Sequence, residues 1–182
     1  MSPFSTFSLF GFTFFFLLIL GRAEGFAQKS SSQFEKINPK STGVTFKNQL
    51  KEDRENNILR YEYFYNGAGV AVGDLDNDGL EDLFFTGNMV PNRLYKNLGK
   101  LKFEDVSKSS GTQGKNAWTT GVSMADVNGD GLLDIYVCYS GKGPESSRKN
   151  ELWINKGNFK FEDQAEKYGI ADASNKIGRA HV

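Results

Sequence analysis

The chain of 182 residues carries 22 Lys and Arg against 22 Asp and Glu, so its formal net charge is zero, and 38% of it is hydrophobic. A neutral chain lacks the basic field that dominates nucleic-acid affinity, and a mean hydropathy of -0.47 is too polar for a multi-span membrane protein. A single cysteine cannot form an intramolecular disulfide or, with a single histidine, a zinc cluster, and one histidine argues against a His-centred catalytic site.

Eight of the 16 phenylalanines precede residue 27, in or beside the apolar run FSLFGFTFFFLLILG. That run has the length of a signal-peptide core and is short for a membrane span, and the small residues Ala23, Gly25 and Ala27 follow it. Residues 1–27 are therefore expected to be a secretory signal, cleaved after Gly25 or Ala27. The expected location is secreted, periplasmic or cell surface. The leading MSPFST holds no cation, which departs from the usual signal and leaves an uncleaved anchor as the alternative; membrane contact is expected only through this segment. Residues 28–60 read as a polar linker with one short strand, Val44 to Phe46, and KEDRENN reads as a solvated charge run.

From residue 61 the chain repeats itself. NGAGVAVGDLDNDGLEDLFFTGN is answered by TTGVSMADVNGDGLLDIYVCYSG, Asp126 lying 52 residues after Asp74. NRLYKNLGKLKFEDVSKSSG is answered by NELWINKGNFKFEDQAEKYG at a separation of 58, so the second copy holds six more residues in the polar stretch SGKGPESSRK. Val70 and Val72 alternate with Gly69, Ala71 and Gly73, as Val122 and Met124 do with Gly121, Ser123 and Ala125: a strand with a bulky face and a small face that a neighbouring backbone can approach. DLFFTG and DIYVCY read as strands covered on both sides. Short strands are expected around Arg93–Lys96 and Leu101–Phe103, with counterparts at Leu152–Ile154 and Phe159–Phe161, and a helical turn over Glu104–Ser109 and Asp163–Lys167 ending at Gly111 and Gly169. Four antiparallel strands per copy form the unit of a propeller blade. The fold class is thus all-β: two blades, 61–112 and 113–175, of an incomplete β-propeller. The last residues, 176–182, are expected to be a non-native tail that removes His181 from consideration, with the remaining blades lying beyond.

Two acidic loops carry the chemistry. DLDNDGLED supplies Asp74, Asp76, Asp78 and Asp82; DVNGDGLLD supplies Asp126, Asn128, Asp130 and Asp134. Oxygen donors at positions 1, 3 and 5, a glycine at 6, the backbone carbonyl of Leu80 or Leu132 at 7 and a carboxylate at 9 form a ligand pattern for Ca²⁺, one ion per loop. Magnesium demands tighter octahedral geometry and is the less suitable occupant. An EF-hand is excluded because position 12 is Phe85 or Val137 and strands flank the loop.

These loops and the runs YNGAGVAVGDLDNDGLEDLFFTGN and NRLYKNLGKLKFEDVSKSSG resemble the FG-GAP/VCBS repeat family, especially its secreted cartilage-acidic-protein-like members, which often carry a C-terminal ASPIC/UnbV domain. The resemblance implies a calcium-binding propeller similar to integrin alpha-subunit heads. Cys138 reads as a small buried hydrophobe, Trp118, Trp153, Tyr61, Tyr63 and Tyr65 as packing rather than a ligand platform, and Asp105 and Asp163 as turn or cap residues. The expected function is non-enzymatic recognition of a protein or glycan by a calcium-stabilised propeller. The alternative is the propeller portion of a secreted carbohydrate-active enzyme, a lyase or glycoside hydrolase.

Overall fold

The computed structural model describes residues 34–115 and 117–174. The expected signal segment, 1–27, and the expected tail, 176–182, lie outside the described residues. Among the described residues, no helix is long and apolar enough to cross a membrane.

The described residues from Ile37 onward form one compact unit built on two four-stranded antiparallel sheets. The first holds β1 (Val70–Gly73), β2 (Asp82–Phe85), β3 (Arg93–Asn97) and β4 (Phe103–Asp105) in chain order. The second holds β5 (Trp118–Ala125), β6 (Asp134–Ser140), β7 (Glu151–Asn155) and β8 (Phe161–Asp163), also in chain order. Among the described residues three one-turn helices accompany them: α1 (Pro39–Thr42), α2 (Ser107–Ser110) and α3 (Glu145–Arg148). The register repeats between sheets. Leu83 faces Tyr95 and Tyr95 faces Asp105; Ile135 faces Trp153 and Trp153 faces Asp163. The extra residues of the second copy fall in the β6–β7 connection, where α3 forms. The all-β, two-blade architecture read from the repeat is what the chain adopts.

The small face of β1 explains how the blades meet. A Cβ on Gly69 would lie 3.0 Å from both Val122 Cγ1 and Val122 N and 3.1 Å from Gly121 Cα, so any larger residue would press on the backbone of β5. A Cβ on Gly73 would meet Leu133 Cδ1 at 2.7 Å and Met124 Sδ at 3.0 Å. The small face of the first blade thus receives the bulky face of the second. The resulting core runs through both blades: Leu75, Phe84, Leu94, Ile135, Val137, Tyr139 and Phe159 are buried together, with Val122, Met124 and Leu133 packed against them. Each fully buried Leu, Ile, Val or Phe contributes about 1.5–3 kcal/mol relative to exposure. Cys138 is buried in β6, as expected.

Several local expectations are corrected. Val44–Phe46 is not a strand: Thr45 donates its N–H to the Tyr95 hydroxyl (3.3 Å) rather than to a backbone ladder, and Phe46 is held by stacking on Phe85, ring centroids 5.1 Å apart. The chain reaches that stretch through α1, capped by the Asn38 side chain and closed by Gly43 in the left-handed region, where a Cβ would meet the Phe103 carbonyl oxygen at 2.3 Å. Strands expected at Leu101–Phe103 and Phe159–Phe161 begin instead at Phe103 and Phe161. Gly99, Lys100 and Leu101, like Gly157, Asn158 and Phe159, take positive φ and lengthen the preceding turn. The helical turn expected over Glu104–Ser109 starts at Ser107, because Glu104 belongs to the ladder opposite Lys96. Its counterpart after Asp163 is a hydrogen-bonded turn, Tyr168 N–H donating to the Gln164 carbonyl (3.1 Å), and not a helix. Asp105 accepts from Ser107 N–H (3.0 Å) and Asp163 from Ala165 N–H (3.1 Å), which is the turn role expected of both.

Candidate metal centre

Both acidic loops connect the first two strands of a blade and fold on their own backbone donors. Asp74 accepts from Asp78 N–H (3.1 Å) and Gly79 N–H (2.8 Å); Asp126 accepts from Gly129, Asp130 and Gly131 N–H groups at 2.7, 3.2 and 2.9 Å. Those donors, Gly131 foremost, hold the Asp126 carboxyl below the ordinary aspartate range. Positions 4 and 6 turn through the left-handed region: Asn77 and Gly79 in the first loop, Gly129 and Gly131 in the second. Leu80 and Leu132, at position 7, donate N–H groups to Asp78 and Asp130 Oδ1, each at 2.9 Å.

In the first loop, Asp74, Asp76 and Asp78 each bring a carboxylate oxygen to within 4.8 Å of the others. Asp76 Oδ1 is buried and has no hydrogen-bond partner. A buried carboxylate oxygen without a protein donor keeps its acceptor capacity, and beside two further carboxylates it fits a hard ion such as Ca²⁺. The second loop carries Asn128 at the Asp76 position and closes on itself, the Asn128 amide donating to Asp130 Oδ2 at 2.9 Å.

The position-9 carboxylates do something the sequence pattern did not reveal. Asp82 accepts from Leu75 N–H (3.0 Å) through Oδ2 and from Asn97 N–H (2.8 Å) through Oδ1; Asp134 accepts from Val127 N–H (3.0 Å) and Asn155 N–H (2.8 Å) in the same way. Both are almost fully buried. Burial raises the Asp82 carboxyl above its usual range, against the opposing pull of those two N–H groups. Each therefore locks the start of its loop to the third strand of its blade.

Asn155 then ties the loops together. Its side-chain amide donates to the Leu75 carbonyl of the first loop (2.8 Å) and the Leu133 carbonyl of the second (3.1 Å), while Asn77 donates from the first loop to the Gly131 carbonyl of the second (3.0 Å). Asn97, the counterpart of Asn155, makes the corresponding bond within its own blade, to the Glu81 carbonyl (2.8 Å). The signal for this pair was an Asn-x-Gly at one repeat position in both copies. Lys96 was also missed. Its ammonium pairs with Asp76 and lies 3.4 Å from Asp78 Oδ2, and Asp76 holds it charged, above the ordinary lysine range.

Away from the loops, Tyr61 packs edge-on against Tyr63 and Trp118, with centroids 5.7 and 5.3 Å apart, and Phe64 lies against the same indole. Packing is thus the role of these rings, but Tyr61 and Tyr63 also line an open groove of about 510 Å³ with Ile58, Leu59, Ser140 and Lys142.

Residues 74–137, from the start of the first loop through most of β6, match the FG-GAP-like repeat family. Cartilage acidic protein 1 of Xenopus tropicalis is 36% identical over 72 residues, 40% of this chain and 11% of that protein. The Homo sapiens protein of the same name is 35% identical over 72 residues, with the same coverage, and the Mus musculus protein 36% identical over 69 residues, 38% of this chain and 11% of that protein. The matched part thus spans about a tenth of these relatives. Two blades in one register, the acidic loops and this match identify residues 74–137 as FG-GAP-like repeat sequence, and the chain resembles cartilage acidic protein 1 over the matched stretch.

Proposed function

We propose that this chain is part of a secreted or surface-exposed β-propeller that recognises a protein or glycan, and that calcium holds its loops in shape. The observation that carries the reading is the first loop, where three carboxylates converge and a buried Asp76 oxygen lacks a donor. Asp74, Asp76 and Asp78 would hold one ion and Asp126, Asn128 and Asp130 the second, with the Leu80 and Leu132 carbonyls and the carboxylates of Asp82 and Asp134 as the remaining oxygens. When bound, calcium supplies positive charge that relieves repulsion among carboxylates worth roughly 1 kcal/mol per pair at 4 Å in water. The chain's own part is to fix that geometry. Position 9 is also the first residue of a strand, so an ordered loop sets where β2 and β6 begin and, through the period of two, which side chains face the neighbouring blade. The role of the ion in this reading is structural.

The groove beside Tyr61 and Tyr63 supports recognition, since aromatic rings with flanking polar groups suit both peptide and sugar surfaces. The test is binding of the calcium-loaded protein to a panel of extracellular glycans and proteins, with turnover measured in parallel. Saturable binding without chemical change in the partner is expected. Depolymerisation of a panel glycan would replace the reading by the carbohydrate-active enzyme.

A further inference from the structure

The two loops differ at two linked register positions. Position 3 is Asp76 in the first and Asn128 in the second; the next-to-last residue of the third strand is Lys96 in the first blade and Ile154 in the second. Lys96 lies opposite Glu104 in the ladder just as Ile154 lies opposite Glu162, so the positions correspond in space as well as in sequence. The carboxylate present only in the first loop is the one that Lys96 meets. With Lys96 included, Asp74, Asp76, Asp78 and Asp82 carry the same net charge as Asp126, Asp130 and Asp134.

The ammonium is also seated by the second blade. Its nitrogen lies 5.1 Å from the centroid of the nearly buried Phe159 ring, a cation–π contact, while the lysine side chain keeps only 28% of its exposure. Three groups, two carboxylates and an aromatic face, thus converge on one cation that the chain itself provides.

We propose that Lys96 is a tethered counter-ion for the first loop: its ammonium neutralises Asp76 and Asp78 when no metal is bound, and calcium must displace it to enter. The inference rests on the calcium reading above. It makes the loops unequal. The first carries a cation of its own when no metal is bound, whereas the second, with Ile154 in place of the lysine, relies on the Asn128 amide and its backbone N–H groups alone. A half-buried ion pair that must break before binding weakens that binding by about fivefold, equivalent to about 1 kcal/mol.

The test needs no variant at first. Acylation of the Lys96 amine, read by mass spectrometry on the intact protein, should rise severalfold between chelator and saturating calcium as the ammonium leaves the loop. Calorimetry of calcium binding to Lys96→Met should then show one site tightened about fivefold and the other unchanged. In chelator, both Lys96→Met and Lys96→Gln should be less stable than the parent. Lys96 labelling that does not respond to calcium, with affinities unchanged by Lys96→Met, overturns this inference and leaves the calcium reading intact. If neither parent nor variant binds calcium, both fail together.

Discussion

Replacing Asn155 by alanine isolates the bond network that joins the blades. The residue is 1% exposed, and its amide donates to the Leu75 carbonyl at 2.8 Å and the Leu133 carbonyl at 3.1 Å. Its own carbonyl accepts from Gly157 N–H at 2.9 Å. The backbone N–H bond to Asp134 survives the substitution; the other three bonds do not. Leu75 is fully buried, so its carbonyl loses a partner that water cannot replace, at a cost of about 1–3 kcal/mol, while Leu133 and Gly157 are half-exposed and each loses about 0.5–1 kcal/mol. The expected destabilisation is about 2–5 kcal/mol. Asn97→Ala is the internal control. It removes the equivalent bonds to Glu81 and Gly99, neither of them fully buried, and should cost only about 1–2 kcal/mol. Urea unfolding of both variants in saturating calcium measures the difference. An Asn155→Ala cost no larger than that of Asn97→Ala would refute the argument that this amide joins the blades.

Gly69→Ala should destabilise by about 1–3 kcal/mol in the same assay because its Cβ meets backbone of β5, whereas Gly73→Ala, which meets the ends of Leu133 and Met124, should cost less. Phe84→Ala, emptying a fully buried position of the shared core, should cost about 3–5 kcal/mol in thermal or urea unfolding. Glu151 is buried, which raises its carboxyl above the ordinary value of 4.5, although the Tyr139 hydroxyl (2.5 Å) and Lys115 (3.6 Å) oppose that shift. Its folded form binds the proton more tightly than its unfolded form, so the stability it contributes is full below the unfolded value and is lost as pH rises through the folded one. Glu151→Gln should therefore flatten the decline in stability from about pH 4 upward, as measured by unfolding over a pH series.

The repeat and its period of two were legible because both are one-dimensional. A glycine or alanine at every second residue of β1 already states which face must admit a neighbour, and the offsets of 52 and 58 residues already place the insertion between β6 and β7. The acidic loops were legible for the same reason, their donors being close in sequence. What escaped depends on approach in space. Nothing in Val44–Phe46 shows that its partner is a tyrosine hydroxyl rather than a ladder, and three successive positive-φ residues such as Gly99, Lys100 and Leu101 are not readable when two of them are ordinary side chains. Position 9 was assigned as a calcium ligand from the loop pattern, but only the fold reveals Asp82 and Asp134 bridging two backbone N–H groups each. Lys96 is separated from Asp76 by a strand and a turn, and no spacing rule joins them.

If the two loops are calcium sites built by their own carboxylates, calorimetric titration of the metal-stripped protein with Ca²⁺, beside Asp74→Ala and Asp126→Ala, will count them. With dissociation constants in the range of about 10⁻⁴ to 10⁻³ M, and millimolar calcium at the tighter limit, each site would add about 1.4 kcal/mol of stability. The parent should bind two equivalents and each variant one. No uptake by the parent, or two equivalents still bound by Asp74→Ala, would contradict it.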